Sequence, residues 1–503
     1  MGRLLRHVSV LLCTIILCAG WNEARARQSA RPATDDEQDI RASLSAFTKA
    51  YEIVEQNYAE PIQPDRVLFG VPNTGRGAIP AMLRTLDPHS NFFDPRAYVL
   101  LREQQQGKYF GVGMKIQSIP DQRGKLETMV IQPMPGSPAF RAGLRPGDIL
   151  LNVDGKPTDG LDTTQVASLL KGPRGTTVHL AVSREGTEQP LQFAIQRDEI
   201  ASSTVETAFL IRPNVAYIHI SGFSETTSDE LTEALDKLHA NTLQGLVLDL
   251  RGNPGGLLQS AVDVADHFLQ KDQLIVYQHG REASEEMRFV AQKGDGGNEY
   301  PIVVLINRMT ASAAEIVTGA LQDHDRALVI GEPSFGKGLV QTVYPLSDNT
   351  GLALTTAHYY TPSGRLIQRS YSNMSPYDYY YHYGDHAVAH TDVRLTDGGR
   401  EVYGGGGITP DIDAAPPKLN AAEQGLEQST AFFNFAKRYL AVHKTISRDF
   451  VPDDLALAEF KQFLAEQKIR VSPQDFDSSR DYIAREIRLQ LVTMIYGSNE
   501  ADR

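Results

Sequence analysis

The stretch Pro301–Gln341 reads PIVVLINRMTASAAEIVTGALQDHDRALVIGEPSFGKGLVQ. Its apolar run Ile302–Ile306 is too short for a typical helix and rich in β-branched residues, so it predicts a buried strand. A turn follows, and then a segment of mostly good helix formers continues to about Gln322. Ser312 therefore falls at or just before a helix N-terminus, where free N–H groups and the helix dipole can hold an oxyanion. This position suits a nucleophile.

A serine hydroxyl is a weak nucleophile and needs a base, which can be a histidine, a lysine or an N-terminal amine. Lys337 lies between Gly336 and Gly338, ahead of an apolar segment. Because the ordinary pKa of lysine is about 10.4, it can act as a base only where burial favours its neutral amine. Alone, the pair is weak evidence for a catalytic site, since Ser312 could be a helix cap and Lys337 could lie in a surface turn.

Two motifs together resemble the signature of a known family. Lys337 and Gln341 follow Ser312 by 25 and 29 residues, and the pattern Asp249–Gly256 precedes it. This arrangement resembles the carboxyl-terminal processing proteases, peptidase family S41. The resemblance implies a serine peptidase with Ser312 as nucleophile, Lys337 as base and Gln341 counted with the dyad, and it implies no cofactor and no metal. Spaced four residues apart, the lysine and the glutamine could point to one face of a strand.

The glycines of the upstream pattern predict part of an oxyanion hole. Without a Cβ, the backbone N–H of Gly255 or Gly256 can approach a reacting carbonyl, and we expect it to act together with that of Ala313. Both motifs end strand–turn–helix units, whose turns meet at the carboxyl edge of a parallel sheet. Glu315 and Asp323, on the helix after the nucleophile, are assigned structural or supporting roles.

A separate small module is predicted between residues 94 and 184. Its Gly-rich turn, the segment 142–148, a strand over 149–153, a helix near 163–170 and a β run over 177–182 follow an order that resembles a PDZ domain. PDZ domains bind an extended peptide as an added strand and hold its terminal carboxylate on backbone N–H groups. The carboxylate loop is predicted to consist of Phe110, Gly111, Val112 and Gly113. A Gly-rich hairpin without a ligand is the alternative.

Residues 1–26 follow the plan of a secretory signal, with Arg3 and Arg6, an apolar stretch over 8–19, and a small-x-small site ending at Ala26. We therefore expect export to the periplasm or cell envelope. An uncleaved anchor is the alternative, although the apolar stretch is shorter than the roughly 20 residues of a membrane span. Both cysteines lie inside this segment, so the mature chain would contain no disulfide and no thiolate site.

Length and charge narrow the class of protein. A chain of 503 residues with 41% hydrophobic content can form several domains with cores of their own. The net charge is −13, and no basic face is evident in the sequence. Since phosphate contacts need such a face, the composition argues against a nucleic-acid partner.

The resemblance, which covers most of residues 80–412, implies an α/β fold with a crotonase-like or ClpP-like catalytic core. An inserted PDZ domain, N-terminal helices and a helical C-terminal extension complete the expected architecture. The predicted divisions are 1–26 for the signal, 27–93 for the N-terminal helical region, 94–184 for the PDZ domain, 185–415 for the protease core, to which 66–93 could contribute, and 416–503 for the C-terminal helices.

Three other features receive structural interpretations. His89, beside Pro88 in a turn-like composition, is interpreted as a capping or packing residue. Asp249 and Arg251 are interpreted as an ion pair that fixes the turn at a strand end. Residues 371–391 are rich in Tyr, Ser, His and Asp and are predicted to form a surface loop, because no carboxylate pattern completes a metal site around their histidines.

The sequence thus predicts a serine endopeptidase that captures apolar protein C-termini with its PDZ domain and cleaves them through an acyl-enzyme. Substrate proteins or peptides are the expected partners, and an adaptor protein and a homo-oligomer stay open. One alternative is a peptide-binding scaffold or chaperone whose proteolysis is absent or depends on an adaptor. The intact Ser312, Lys337 and Gln341 argue against lost chemistry. A hydratase-like enzyme acting on thioesters is disfavoured by the PDZ-like module and the signal.

Overall fold

The computed structural model describes residues 35–70, 77–120, 125–184, 186–282, 286–294, 299–372, 374–381, 392–443, 445–497 and 500–501. The predicted signal and the histidine-containing part of the 371–391 segment lie outside these described residues. The chain divides into two compact units, one ending at Met82 and the other starting at Leu83.

The described part of the first unit is helical, as predicted. Its helices are α1 (Asp35–Asn57) and α2 (Pro64–Leu68), and α3 (Ala78–Arg84) crosses the boundary between the units. Helix α1 exposes Ile40, Leu44 and Phe47 at the three- and four-residue spacing of an amphipathic helix. Within the described part of the chain, no helix combines the length and apolar character needed to cross a bilayer.

The second unit begins with elements that join the core to a small antiparallel domain. They are β1 (Asn91–Phe93), α4 (Pro95–Gln106) and β2 (Lys108–Gly111). The small domain contains β3 (Met114–Pro120), β4 (Leu126–Pro133), α5 (Pro138–Arg141), β5 (Ile149–Val153), β6 (Lys156–Pro157), α6 (Thr163–Leu170), β7 (Thr177–Ser183), β8 (Leu191–Gln196) and β9 (Asp198–Ala201). Its sheet has the order β3-β4-β5-β7-β8 and encloses Val130, Leu150, Val178 and Leu180.

One boundary differs from the prediction that the core resumes at residue 185. Strand β8 pairs with β7 along its length, so the small domain continues beyond that residue. The chain returns to the core only after β9, which pairs with β2 in a two-stranded ribbon. At its base the N–H of Ser202 donates to the carbonyl of Gly107 at 2.8 Å, so the chain leaves and re-enters the core at one point.

The core is built on a mostly parallel sheet. Its elements are β10 (Val205–Arg212), β11 (Val215–Ile220), α7 (Thr227–Lys237), β12 (Gly245–Asp249), α8 (Leu258–Asp266), β13 (Leu274–His279), β14 (Met287–Val290), β15 (Ile302–Ile306), α9 (Ala313–Asp323), β16 (Ala327–Gly331), β17 (Leu339–Pro345), β18 (Gly351–Tyr360), α10 (Pro376–Tyr381), β19 (Val393–Leu395), β20 (Glu401–Tyr403) and β21 (Ile412–Asp413). The main sheet has the order β10-β11-β12-β15-β16-β21, and a second sheet places β17 and β1 on β18.

The two predicted strand–turn–helix units are confirmed. Strands β12 and β15 are parallel neighbours, so the turns that follow them meet at one sheet edge. Helices α8 and α9 bury their apolar residues in the core against this sheet, among them Ala261, Val264, Val317 and Leu321. The α/β architecture therefore brings the glycine motif and Ser312 together.

The C-terminal region is helical, as predicted. It consists of α11 (Ala421–Gln428), α12 (Ala431–Val442), α13 (Asp454–Glu466), α14 (Pro473–Ser478) and α15 (Arg480–Tyr496). These helices have their own core, in which Phe435 contacts Phe460 and Phe463 at ring-centroid distances of 5.0 and 5.7 Å.

Candidate active site

Ser312 is the N-cap of α9 and adopts an uncommon backbone conformation. Its φ is +56° and its ψ is −116°, in a region that costs an L-residue of order 1–3 kcal/mol. Its N–H donates to Oε2 of Glu315 at 2.7 Å, and the preceding Ala311 N–H donates to the carbonyl of Asn253 at 2.9 Å. These bonds hold the serine in a strained turn at the N-terminus of α9, the helix end at which the sequence placed it.

The glycine motif packs directly against this serine. Gly255 has φ +99°, and a Cβ there would lie 2.7 Å from Cβ of Ser312 and 2.9 Å from N of Ala313. Gly256 has φ +147°, and a Cβ there would lie 2.0 Å from the carbonyl oxygen of Phe223. Both positions therefore require glycine, in agreement with the expectation of close backbone approach.

The hydrogen bonds distinguish the predicted oxyanion donors. The N–H of Gly255 donates to Oδ1 of Asn253 at 2.8 Å and is therefore not free to donate to a substrate oxygen. The N–H groups of Gly256 and Ala313 have no acceptor among the described residues. Of the predicted donors, Gly256 and Ala313 are thus the two that can turn to a substrate oxygen.

Lys337 lies in the loop before β17 and lines the same cleft as Ser312. Burial lowers the pKa of its amine, and the negative charges of Glu315 and Asp87 oppose this shift. The flanking glycines allow close packing of the backbone, since a Cβ at Gly338 would lie 2.8 Å from the backbone N of Gln368. Lys337 forms no salt bridge with any described residue, so its amine is poised to lose a proton more readily than an exposed lysine.

Glu315 joins the loop of Lys337 to the backbone of Ser312. Its fully buried carboxylate accepts the N–H of Ser312 and of Lys337 on Oε2, and the hydroxyl of Ser334 and the N–H of Gly336 on Oε1. Burial raises the pKa of Glu315, whereas the four donors favour its ionised form. These four hydrogen bonds give the supporting role predicted for Glu315 a structural basis.

Tyr359 makes a second link between the two candidate residues, which the sequence analysis missed. Its buried hydroxyl lies 3.0 Å from the carbonyl oxygen of Ser312 and 2.5 Å from that of Lys337. Because Tyr359 occurs in the regular alternation of β18, only the fold shows which face it points to.

Gln341 lines the cleft together with Ser312 and Lys337. Its amide donates to Oγ1 of Thr355 at 3.3 Å. The reasoning that strand periodicity aligns Lys337 and Gln341 was wrong, because Lys337 precedes β17 and a register shift separates Val340 from Gln341. The loop and the bulge, rather than a regular pleat, bring both side chains to the cleft.

Two further carboxylates form structural ion pairs. Asp323 ends α9, eleven residues after Ser312 and therefore about 16 Å from it along the helix, and it pairs with Arg365 at 2.5 Å in the buried core. It therefore supports the fold and does not reach the cleft. Asp249 binds Arg251 through both carboxylate oxygens, which agrees with the interpretation as a strand-end ion pair.

The segment 376–381 differs from the predicted surface loop. It forms helix α10, whose Tyr379 is only 1% exposed and packs edge-on against Phe335. The Tyr379 hydroxyl lies 3.0 Å from Nε2 of His89, which also lines the cleft. His89 thus packs as predicted, but beside the candidate base. The run of tyrosines was the signal that could have indicated burial.

The cleft that contains Ser312 and Lys337 has a volume of about 600 Å³. Its walls combine polar residues with apolar ones, among them Leu257, Leu339, Val343 and Ala353. The cleft therefore offers apolar surface to a substrate beside Ser312. In the described part of the chain, no cluster of three or more metal-ligating side chains was found.

The small domain has a second, separate groove between β3 and α6. It is lined by Gly111, Val112, Gly113, Ile116 and Leu170. Three of the four residues of the predicted carboxylate loop are therefore at the groove. Phe110 differs, because it does not line this groove and is 41% exposed.

Three protein-family models match the chain. Peptidase family S41 matches residues 214–374, a PDZ domain matches 129–184, and the C-terminal helical domain of a probable PDZ-protease matches 422–478.

Curated relatives include a carboxy-terminal-processing protease of Bartonella bacilliformis, which is 40% identical over 339 residues covering 67% of this chain and 75% of that protein. A carboxyl-terminal-processing protease of Synechocystis is 42% identical over 296 residues, 58% of this chain and 68% of that protein. A solved photosystem II D1 C-terminal processing protease is 27% identical, covers 75% of this chain and 94% of that one, and has a TM-score of 0.36.

Proposed function

This chain belongs to the carboxyl-terminal processing proteases of peptidase family S41 and is a serine-type peptidase, and we propose that Ser312 and Lys337 form its catalytic dyad. The supporting observation is that a buried lysine with a lowered pKa lines one cleft with a serine in a strained N-cap conformation. Glu315 and Tyr359 each bind both residues through the backbone, which fixes their separation.

In the proposed reaction, the neutral amine of Lys337 takes the proton of the Ser312 hydroxyl as its oxygen attacks the substrate carbonyl. The N–H groups of Gly256 and Ala313 stabilise the oxyanion. When the intermediate collapses, the ammonium returns the proton to the leaving amine and an acyl-enzyme remains. Water, deprotonated by the same amine, then releases the product and restores the serine. Gln341 orients the lysine.

The small domain supplies the substrate in this proposal. The groove between β3 and α6 has an apolar floor and a glycine-containing loop at one end, which suits a peptide carboxylate followed by an apolar side chain. We propose that the domain holds the apolar C-terminus of a protein substrate while the preceding segment enters the cleft. A homo-oligomer and an adaptor protein are the further partners to test.

We also propose export to the cell envelope, on the strength of the N-terminal signal pattern. Fractionation of expressing cells and N-terminal sequencing of the product test this directly. A mature N-terminus near residue 27 in the exported fraction supports cleavage, whereas a full-length membrane-bound product favours the anchor.

The dyad is tested by incubating the mature chain with an unfolded protein that has an apolar C-terminus. We expect the wild type to cleave it, and Ser312→Ala and Lys337→Ala to be inactive with unchanged melting temperatures. Lys237→Ala, at an exposed helical lysine, controls for loss of a positive charge. Full activity of Lys337→Ala would disprove the dyad. A wild type that binds tail peptides without cutting them would favour the scaffold alternative.

A further inference from the structure

A chain of hydrogen bonds connects the loop of Lys337 to the turn Asp87–Ser90. Gln368 lies at one end: its Oε1 accepts the N–H of Gly338 (2.9 Å), and its Nε2 bonds to the Tyr379 hydroxyl (3.2 Å). The Tyr379 hydroxyl also bonds to Nε2 of His89 (3.0 Å). At the other end, the Tyr380 hydroxyl bonds to Nδ1 of His89 (3.3 Å) and to the carbonyl of Pro88 (2.8 Å). We call the side chains of Gln368, Tyr379, His89 and Tyr380 the polar chain.

The hydrogen bonds at the two ends of the polar chain determine which group donates in each bond between them. Gln368 accepts from a backbone N–H through its oxygen, so its nitrogen must donate to Tyr379. The Tyr379 hydroxyl then donates to Nε2 of His89. At the other end, the Pro88 carbonyl can only accept, so Tyr380 donates to it and accepts from Nδ1–H of His89. The arrangement requires a neutral His89 protonated on Nδ1.

The charges around His89 agree with this requirement. Burial lowers the pKa of His89 to about 4, the positive charges of Lys337 and Arg369 lower it as well, and Asp87 raises it. Burial also raises the pKa of both tyrosine hydroxyls, so they keep their protons near neutral pH. A protonated His89 would present a second donor to the Tyr379 hydroxyl, whose own proton would then lose its acceptor in the polar chain.

The turn Asp87–Ser90 is attached to the other cleft residue as well. Asp87 accepts both the N–H and the hydroxyl of Ser90 at 2.7 Å, and the Ser90 oxygen accepts the N–H of Thr355 at 3.1 Å. Thr355 in turn accepts the amide of Gln341 at 3.3 Å. One turn therefore holds the segments of both Lys337 and Gln341.

We propose that Tyr379 and His89 are positioning residues for Lys337. Glu315 anchors the Lys337 loop on its N-terminal side, and the polar chain anchors it on the C-terminal side through Gly338. Without the second anchor, the lysine side chain reaches more solvent and its amine is protonated more readily. The inference rests on the proposed dyad, because it gives Lys337 the role of the base.

Tyr379→Phe tests this inference, because it removes one hydroxyl and keeps the buried ring. We expect kcat near neutral pH to fall by about 10- to 100-fold with little change in KM. We expect the deficit to shrink as the pH rises, since a base with a raised pKa becomes neutral only at higher pH. Tyr381→Phe makes the same change in the same helix at a side chain that is 75% exposed, and it should leave kcat unchanged.

Two substitutions of His89 separate hydrogen bonding from packing. His89→Gln keeps one donor and one acceptor, whereas His89→Leu keeps only the bulk, so His89→Gln should retain more activity. Melting temperatures are recorded for all variants. The inference is overturned if Tyr379→Phe behaves as Tyr381→Phe, or if its deficit is the same at every pH. Activity of Lys337→Ala would instead overturn the dyad, so the two failures are distinguishable.

Discussion

Replacing Glu315 by glutamine is the substitution whose cost can be worked out most directly from the structure. The carboxylate is fully buried and accepts four hydrogen bonds, two on each oxygen. In Glu315→Gln one oxygen becomes an amide nitrogen, which is itself a donor. Two of the four donors then lose their acceptor, although the side chain keeps its size and shape.

The magnitude follows from the partners. Hydrogen bonds to charged groups contribute about 1.5–3 kcal/mol each, so losing two costs about 3–6 kcal/mol. The amide nitrogen should turn toward Ser334, whose hydroxyl can rotate and accept, which leaves the N–H of Gly336 without a partner. We therefore expect the lower end of the range, about 3 kcal/mol. Because the loop that shifts carries Lys337, kcat should also fall at least ~10-fold.

Urea unfolding followed by circular dichroism measures the stability, and cleavage of the tail substrate measures kcat. Glu233→Gln is the matched control, because Glu233 pairs with Lys237 on an exposed helix surface. It should change stability by less than about 0.5 kcal/mol. A loss below about 1 kcal/mol for Glu315→Gln, with normal kcat, would refute the argument that this carboxylate organises the site.

Three more outcomes are expected. Gly255→Ala should reduce kcat by ~100-fold or more, because the new Cβ would lie 2.7 Å from that of Ser312 and the φ of +99° disfavours alanine. Normal peptidase activity of this variant would contradict the expectation. The kcat of the wild type should rise with pH, with a midpoint below about 10.4, because Lys337 must be neutral to accept a proton and burial lowers its pKa; a rate independent of pH would count against it. Arg365→Met should destabilise the core by about 3–5 kcal/mol in urea unfolding, because it leaves Asp323 buried and unpaired, and adding Asp323→Leu should recover part of the loss.

The sequence predicted those parts of the site that depend on local pattern. The run Ile302–Ile306 and the helix after Ser312 could be identified from composition, and both lie where the pattern placed them. The glycine motif likewise indicated close backbone approach. Family resemblance, rather than spacing, supplied the roles of Lys337 and Gln341, because 25 residues of sequence say nothing about proximity in space.

The predictions that were wrong depend on contacts between distant segments. Strand β8 was assigned to the core because an alternating pattern does not identify its partner strand. Tyr379 was placed in a surface loop because its neighbours are polar, yet it meets His89 across 290 positions of the chain. Tyr359 was missed for a similar reason, since its partners Ser312 and Lys337 come from two other segments.

The bond between Gly107 and Ser202 has a consequence for how such a protein can be rebuilt. Because the chain leaves the core at Gly107 and returns at Ser202, and these two residues are hydrogen-bonded to each other, the whole small domain is an insertion into the core. Removing it would require a linker of only a few residues, and no strand of the parallel sheet would change its neighbours. A peptide-binding domain with neighbouring termini could be inserted at the same junction. Under the proposal that the small domain holds the substrate, this exchange would direct the peptidase to other protein C-termini.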